Sequence, residues 1–62
     1  MILSRLKEHR NRRRLTQTEL ALISGVSRAT IAALEGGKRT RVHPATAQAL
    51  AKALKVRRHQ LG

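Results

Sequence analysis

Apolar residues recur along this chain at helical spacing. Ile2, Leu3 and Leu6 share one side of a first helix that runs to a basic cluster, Arg10, Arg12, Arg13 and Arg14, where cations complement the negative end of the helix dipole. Thr16 followed three residues later by Glu19 has the form of a capping box, with threonine oxygen and glutamate each satisfying a backbone N–H, so a second helix should start there. Leu20 and Ile23 are expected to face inward from it. Gly25 can take the left-handed conformation that stops this helix, and Ser27 is a natural N-cap for a third, anchored by Ile31 and Leu34. Gly36 and Gly37 end it. His43-Pro44 puts proline at the first position of a fourth helix, where Leu50 and Leu54 recur with Ala47 and Ala51. Val56 to Leu61 reads as a short fifth helix. The expected fold is all-α, a compact four- to five-helix bundle, with residues 1–62 as a single domain and no linker, repeat or low-complexity segment.

The second and third helices are joined by a turn of about three residues, which forces them to cross steeply with their outer faces forming a wedge. At about 100° per residue, Ile31 and Leu34 define the buried side of the third helix, so Ala29, Ala32 and Ala33 point outward with Arg28 at their edge.

Charge sharpens this picture. Lys+Arg number 14 against 3 Asp+Glu, a formal charge of +11, and the sequence pI is about 12.0. Such a field attracts polyanions. Phe, Trp and Tyr are absent, which removes the rings that stack on unpaired bases and puts duplex DNA ahead of RNA as a partner. A chain of 62 residues buries only about 60% of its unfolded surface, enough for one modest core. Cysteine is absent too, so packing alone must stabilise the fold, as suits a reducing cytosol. The start MILSRLKEHR has no apolar run or cleavage site, and no stretch reaches the roughly 18 apolar residues of a membrane span. A soluble, cytoplasmic, nucleoid-associated protein is expected.

Enzymatic readings fit poorly. The carboxylates are Glu8, Glu19 and Glu35, with no pair spaced as general acid and base, and His9, His43 and His59 lie far apart without a second ligand nearby. No glycine loop cradles phosphate. No catalytic residue, metal, cofactor, small-molecule ligand or membrane contact is expected.

Three linked motifs carry a family resemblance: L-T-Q-x-E-L-A from Leu15 to Ala21, G-V-S-R-x-T-I from Gly25 to Ile31, and L-E-x-G-K-R from Leu34 to Arg39. The chain resembles, over almost its whole length, the DNA-binding domain of the phage lambda and 434 repressor and Cro proteins, the XRE family. The resemblance implies a lambda repressor-like fold in which the helix from Ser27 to Glu35 lies in the major groove and the helix from Gln17 to Ser24 crosses the backbone above it. Arg28 is then the leading base reader, its fork matching guanine O6 and N7, with a phosphate contact as its competing role. The Ala29 methyl can touch a thymine methyl, and Ala32 and Ala33 complete the reading face. Gln17 matches a family position that contacts phosphate and sometimes a base, and its backbone N–H suits an anion whatever the side chain does. Thr16, Ser27 and Thr30 join the phosphate set, Ser27 also capping its helix. Lys38, Arg39 and Arg41 form a loop that in the family follows the sugar-phosphate backbone, adding affinity without sequence information. Arg10 belongs to the phosphate set as well, although in close relatives its position pairs with that of Glu35.

The chain departs from the family at Arg14 and Lys55, where relatives often have glycine, so either the backbone stays left-handed at a cost or the helix ends change. Arg57 replaces a common serine cap. An alanine-rich reading face gives few donors or acceptors, so specificity is expected to be narrow or to rest partly on DNA shape. The resemblance implies sequence-specific duplex binding and transcriptional regulation, most simply repression, by a monomeric or weakly dimerising domain; tight operator binding would need two copies on adjacent half-sites, held by a small contact from the fourth helix or the tail from Val56. A DNA-binding antitoxin module and a non-specific nucleoid or polyanion coat are the alternatives.

Overall fold

The computed structural model of the chain describes residues 3–38 and 41–62. Within them the elements are α1 (Leu6–Arg12), α2 (Gln17–Ser24), α3 (Arg28–Glu35), α4 (Pro44–Leu54) and a single 3₁₀ turn at Arg58–Leu61. Ile2 and Arg39, both given roles above, lie outside the described residues.

The starts of α2, α3 and α4 each follow from a local signal. Thr16 Oγ1 accepts from the Glu19 N–H at 3.0 Å while Glu19 Oε1 accepts from the Thr16 N–H at 2.9 Å, completing the capping box. Ser27 Oγ accepts from the Thr30 N–H at 3.1 Å. His43 caps α4 through Nδ1, which accepts from the Ala45 N–H at 3.2 Å, ahead of Pro44 at the first position.

The helix ends settle the question raised by Arg14 and Lys55. Both are left-handed, at φ 55° and 56°. After α1 the Leu15 N–H reaches Arg10 O and the Arg14 N–H reaches Asn11 O; after α4 the Val56 N–H reaches Ala51 O and the Lys55 N–H reaches Lys52 O. This paired bonding defines the Schellman motif, normally built on glycine. The motif is kept here with arginine and lysine, at a steric cost on the order of 1 kcal/mol each.

Leu6, Leu20, Ile31, Leu50, Leu54 and Leu61 are the largest fully buried side chains, joined by Leu3, Leu34, Val42, Ala47 and Ala51. Full burial stabilises by about 1.5–3 kcal/mol for each large aliphatic side chain. α2 packs against both α3 and α4, and α1 against α3. The two ends of the chain meet: the Arg5 N–H donates to Leu61 O at 2.8 Å, and His9 Nε2 donates to Gln60 O at 2.9 Å.

Two expectations need correction. The fifth helix is only the turn Arg58–Leu61, in which Gln60 Oε1 accepts from the Arg57 N–H at 2.8 Å in place of a serine cap. Ile23 is not in the core: it is 57% exposed, beside Leu22 at 79%. From the fully buried Leu20, a step of four residues rotates by about 40° and a step of three by about 60° the other way. The buried stripe of α2 therefore continues through the half-buried Ser24, and the helix stops at Gly25 before another turn could cover Ile23.

Candidate nucleic-acid interface

The turn between α2 and α3 is Gly25-Val26-Ser27. Gly25 is left-handed at φ 74° with open space around its Cβ position, so it is the backbone conformation and not crowding that favours glycine there. Val26 packs against the core, and Ser24 Oγ accepts its N–H at 3.2 Å. The two helices pack against each other across this turn, with Arg28 at the start of α3 near Gln17 at the start of α2.

Beneath these helix starts lies an ion pair. Arg10 Nε donates to Glu35 Oε2 at 2.7 Å and Nη2 to Glu35 Oε1 at 2.9 Å, while Nη1 donates to Leu15 O at 2.6 Å. The side chains are only 11% and 4% exposed. Burial pushes the Glu35 carboxyl up, but hydrogen bonds from Arg10 and Gln17, with the charges of Arg10 and Lys7, outweigh it and hold the group below its ordinary value. The hydrogen bond to Glu35 raises Arg10 against the opposing effect of burial. Gln17 carries the network outward: its Nε2 donates to Glu35 Oε1 at 3.0 Å, and its Oε1 accepts a long hydrogen bond from Arg28 Nη1 at 3.5 Å. Arg28, exposed at the first position of α3, is thus tethered to a chain of bonds that begins in the core.

Comparison with known proteins agrees with this geometry. The sequence profile described as Helix-turn-helix matches residues 6–61. The chain belongs to the XRE-type helix-turn-helix family. It is 51% identical over 51 residues to an uncharacterized HTH-type transcriptional regulator of Bacillus subtilis, RghRB, and 49% identical over 51 residues to the HTH-type transcriptional repressor RghR of the same organism. Each alignment covers 82% of this chain but only 37% and 38% of those relatives, so the chain spans well under half their length. The restriction-modification controller protein C.AhdI from Aeromonas hydrophila superposes with a TM-score of 0.87 at 34% identity, over 95% of this chain and 88% of that one.

Within this helix-turn-helix the residues singled out from sequence divide into groups. Arg28 and Ala29 are exposed on α3, whereas Ala32 and Ala33 are half-buried. Both alanines lie on the side of α3 away from Ile31 and Leu34, but only partly exposed, so the fully exposed part of that face is narrower than expected. Thr16 and Ser27 are exposed caps, and Ser27 Oγ donates to Thr30 Oγ1 at 2.8 Å, leaving the threonine hydroxyl proton for an outside acceptor. The capping box uses the N–H groups of Thr16 and Glu19, while those of Gln17 and Thr18 have no intrahelical acceptor, as at any helix start. Lys38 and Arg41 are exposed on either side of residues 39–40, with the buried Val42 anchoring the return of the chain.

Arg10 is removed from the phosphate set. All three kinds of nitrogen in its guanidinium are bonded within the protein, and the side chain is buried. Two features had no readable signal in the sequence. One is the bond from Gln17 to Glu35, and the other is the donation by Arg13 Nε to Leu54 O at 2.7 Å, which closes the end of α4 across 41 positions of sequence. Among the described residues no group of His, Asp and Glu is clustered to hold a metal, and no helix is long and apolar enough to cross a membrane.

Proposed function

We propose that this helix-turn-helix binds duplex DNA sequence-specifically, with α3 in the major groove, and regulates transcription by occupying its site, as a repressor does. The observation that carries this reading is the placement of Arg28: exposed at the start of α3, next to the exposed Ala29, and tethered through Gln17. An exposed guanidinium at that point suits guanine O6 and N7, with Ala29 against a neighbouring thymine methyl. Thr16, Ser27 and Thr30 with the backbone N–H of Gln17 hold phosphates on one side, and Lys38 and Arg41 on the other. Two copies on adjacent half-sites supply operator affinity that one small unit lacks. The names of the relatives, a transcriptional regulator, a transcriptional repressor and a controller protein, support the regulatory part.

The test is selection from randomised duplexes at about 150 mM salt, followed by titration of the selected site with wild type and Arg28→Ala. One enriched motif should emerge, and Arg28→Ala should relax a guanine in it at a cost of about 1–3 kcal/mol. Binding that is equal for all sequences and falls only with salt would refute specific recognition and leave a polyanion coat. The spacing of half-sites in the selected motif reports whether two copies bind.

A further inference from the structure

A groove of about 610 Å³ opens between the C-terminal ends of α1, α2 and α4 and the tail that follows. Its apolar lining includes Leu15, Ile23, Ala53 and Val56, and its rim carries the cations Arg13 and Lys55 beside Arg12, which is paired with Glu8. No residue of α3, and no residue from the start of α2, lines it. Ile23 has the position of a core residue in the sequence pattern but is left 57% exposed. Ile23 thus adds an exposed aliphatic group to the small apolar strip that Leu15, Ala53 and Val56 form in the groove.

The rim indicates what fits. Arg13 is held over the groove by its Nε bond to Leu54 O. Lys55 occupies a left-handed backbone position, at φ 56°, where glycine would be unstrained, so the fold retains a cation here against the preference of the backbone. A second copy is a poor occupant: the chain carries +11 and only three carboxylates, of which Glu35 is tied to Arg10, Glu19 to the Thr16 cap and Glu8 to Arg12 at 2.9 Å. DNA is equally poor, because a phosphodiester brings no apolar group for Ile23. We propose that the groove docks an acidic segment of a partner protein, bearing aliphatic anchors that cover Ile23, while α3 remains available to DNA.

The test uses a 12-residue helical peptide with leucines spaced four apart on a glutamate background, and a control of equal charge with serine for leucine. Amide chemical shifts of the 62-residue chain are followed during titration, with and without bound duplex. The expected result is shifts at Leu15, Ile23, Ala53 and Val56 that persist on DNA, at least tenfold weaker binding of the serine peptide, and a similar loss for Ile23→Ser. Ile23 is already exposed, so that variant should fold. Lys55→Gly separates binding from stability: it should raise the melting temperature and weaken the peptide. Shifts confined to α3 and displaced by DNA, equal binding of both peptides, or concentration-dependent shifts at the groove without peptide would each overturn the proposal, the last by assigning the face to a second copy.

Discussion

Gln17 Nε2 donates to Glu35 Oε1 at 3.0 Å, so a side chain at the surface start of α2 is oriented by a carboxylate that is itself held in the core by Arg10. A carboxylate only accepts, which turns the amide nitrogen of Gln17 inward and its oxygen toward Arg28. Gln17→Ala should therefore lower stability by only about 1 kcal/mol, the usual worth of one hydrogen bond, while loosening Arg28. Discrimination for guanine at the Arg28 position should fall, as measured by titrating the selected site against its single-base variant. A uniform loss across both sequences would instead make Gln17 a phosphate contact only.

Breaking the ion pair from one side should be severe. Arg10→Met leaves the Glu35 charge shielded and without its partner, which costs about 3–5 kcal/mol in comparable buried pairs. The total stability of a domain this size is of the same order, at roughly 0.05–0.15 kcal/mol per residue. Arg10→Met should be largely unfolded at 25 °C by circular dichroism. The double variant Arg10→Met/Glu35→Leu, which removes both charges, should recover most of the helicity; failure to recover would mean the pair is needed for specificity of folding and not only for charge balance.

Acid should unfold the protein through its carboxylates. Glu35 and Glu19 are both held below the ordinary value of 4.5, Glu35 by its bonds from Arg10 and Gln17 against burial, and Glu19 by the backbone and side chain of Thr16. A group lowered in the folded state contributes stability that is fully present above its unfolded value and is lost as pH falls through the folded one. Urea midpoints should hold steady down to about pH 5 and then drop. In Glu35→Gln the baseline should be lower and the acid-induced drop smaller; an unchanged acid profile would show that the pair does not drive it.

Arg14 tests the left-handed helix ends. Arg14→Gly relieves the strained backbone at φ 55°, partly offset by the greater freedom of glycine in the unfolded chain. The net gain should be about 0.5–1 kcal/mol, a rise of several degrees in melting temperature. A fall would mean that the arginine side chain makes a compensating contact.

Local chemistry made most of the fold legible in advance. Thr16 with Glu19, Ser27, Gly25 and His43-Pro44 act within a few residues of themselves, so each helix boundary they set could be read from the chain, and Leu20, Ile31, Leu34, Leu50 and Leu54 had the spacing that burial requires. Ser27 as the cap likewise put Arg28 at the first position of α3. What lay beyond the sequence depended on distance in space. Whether Arg14 and Lys55 stayed left-handed was decided by the Schellman bonds and the packing behind them. Arg10 could have pointed to phosphate or to Glu35, and only the closure of α1 against α3 brought the two within 2.7 Å and took it from the surface. Ile23 had the spacing of a core residue, but burial also needs a neighbour to supply the covering surface, and between the ends of α1 and α4 the tertiary structure leaves a groove instead.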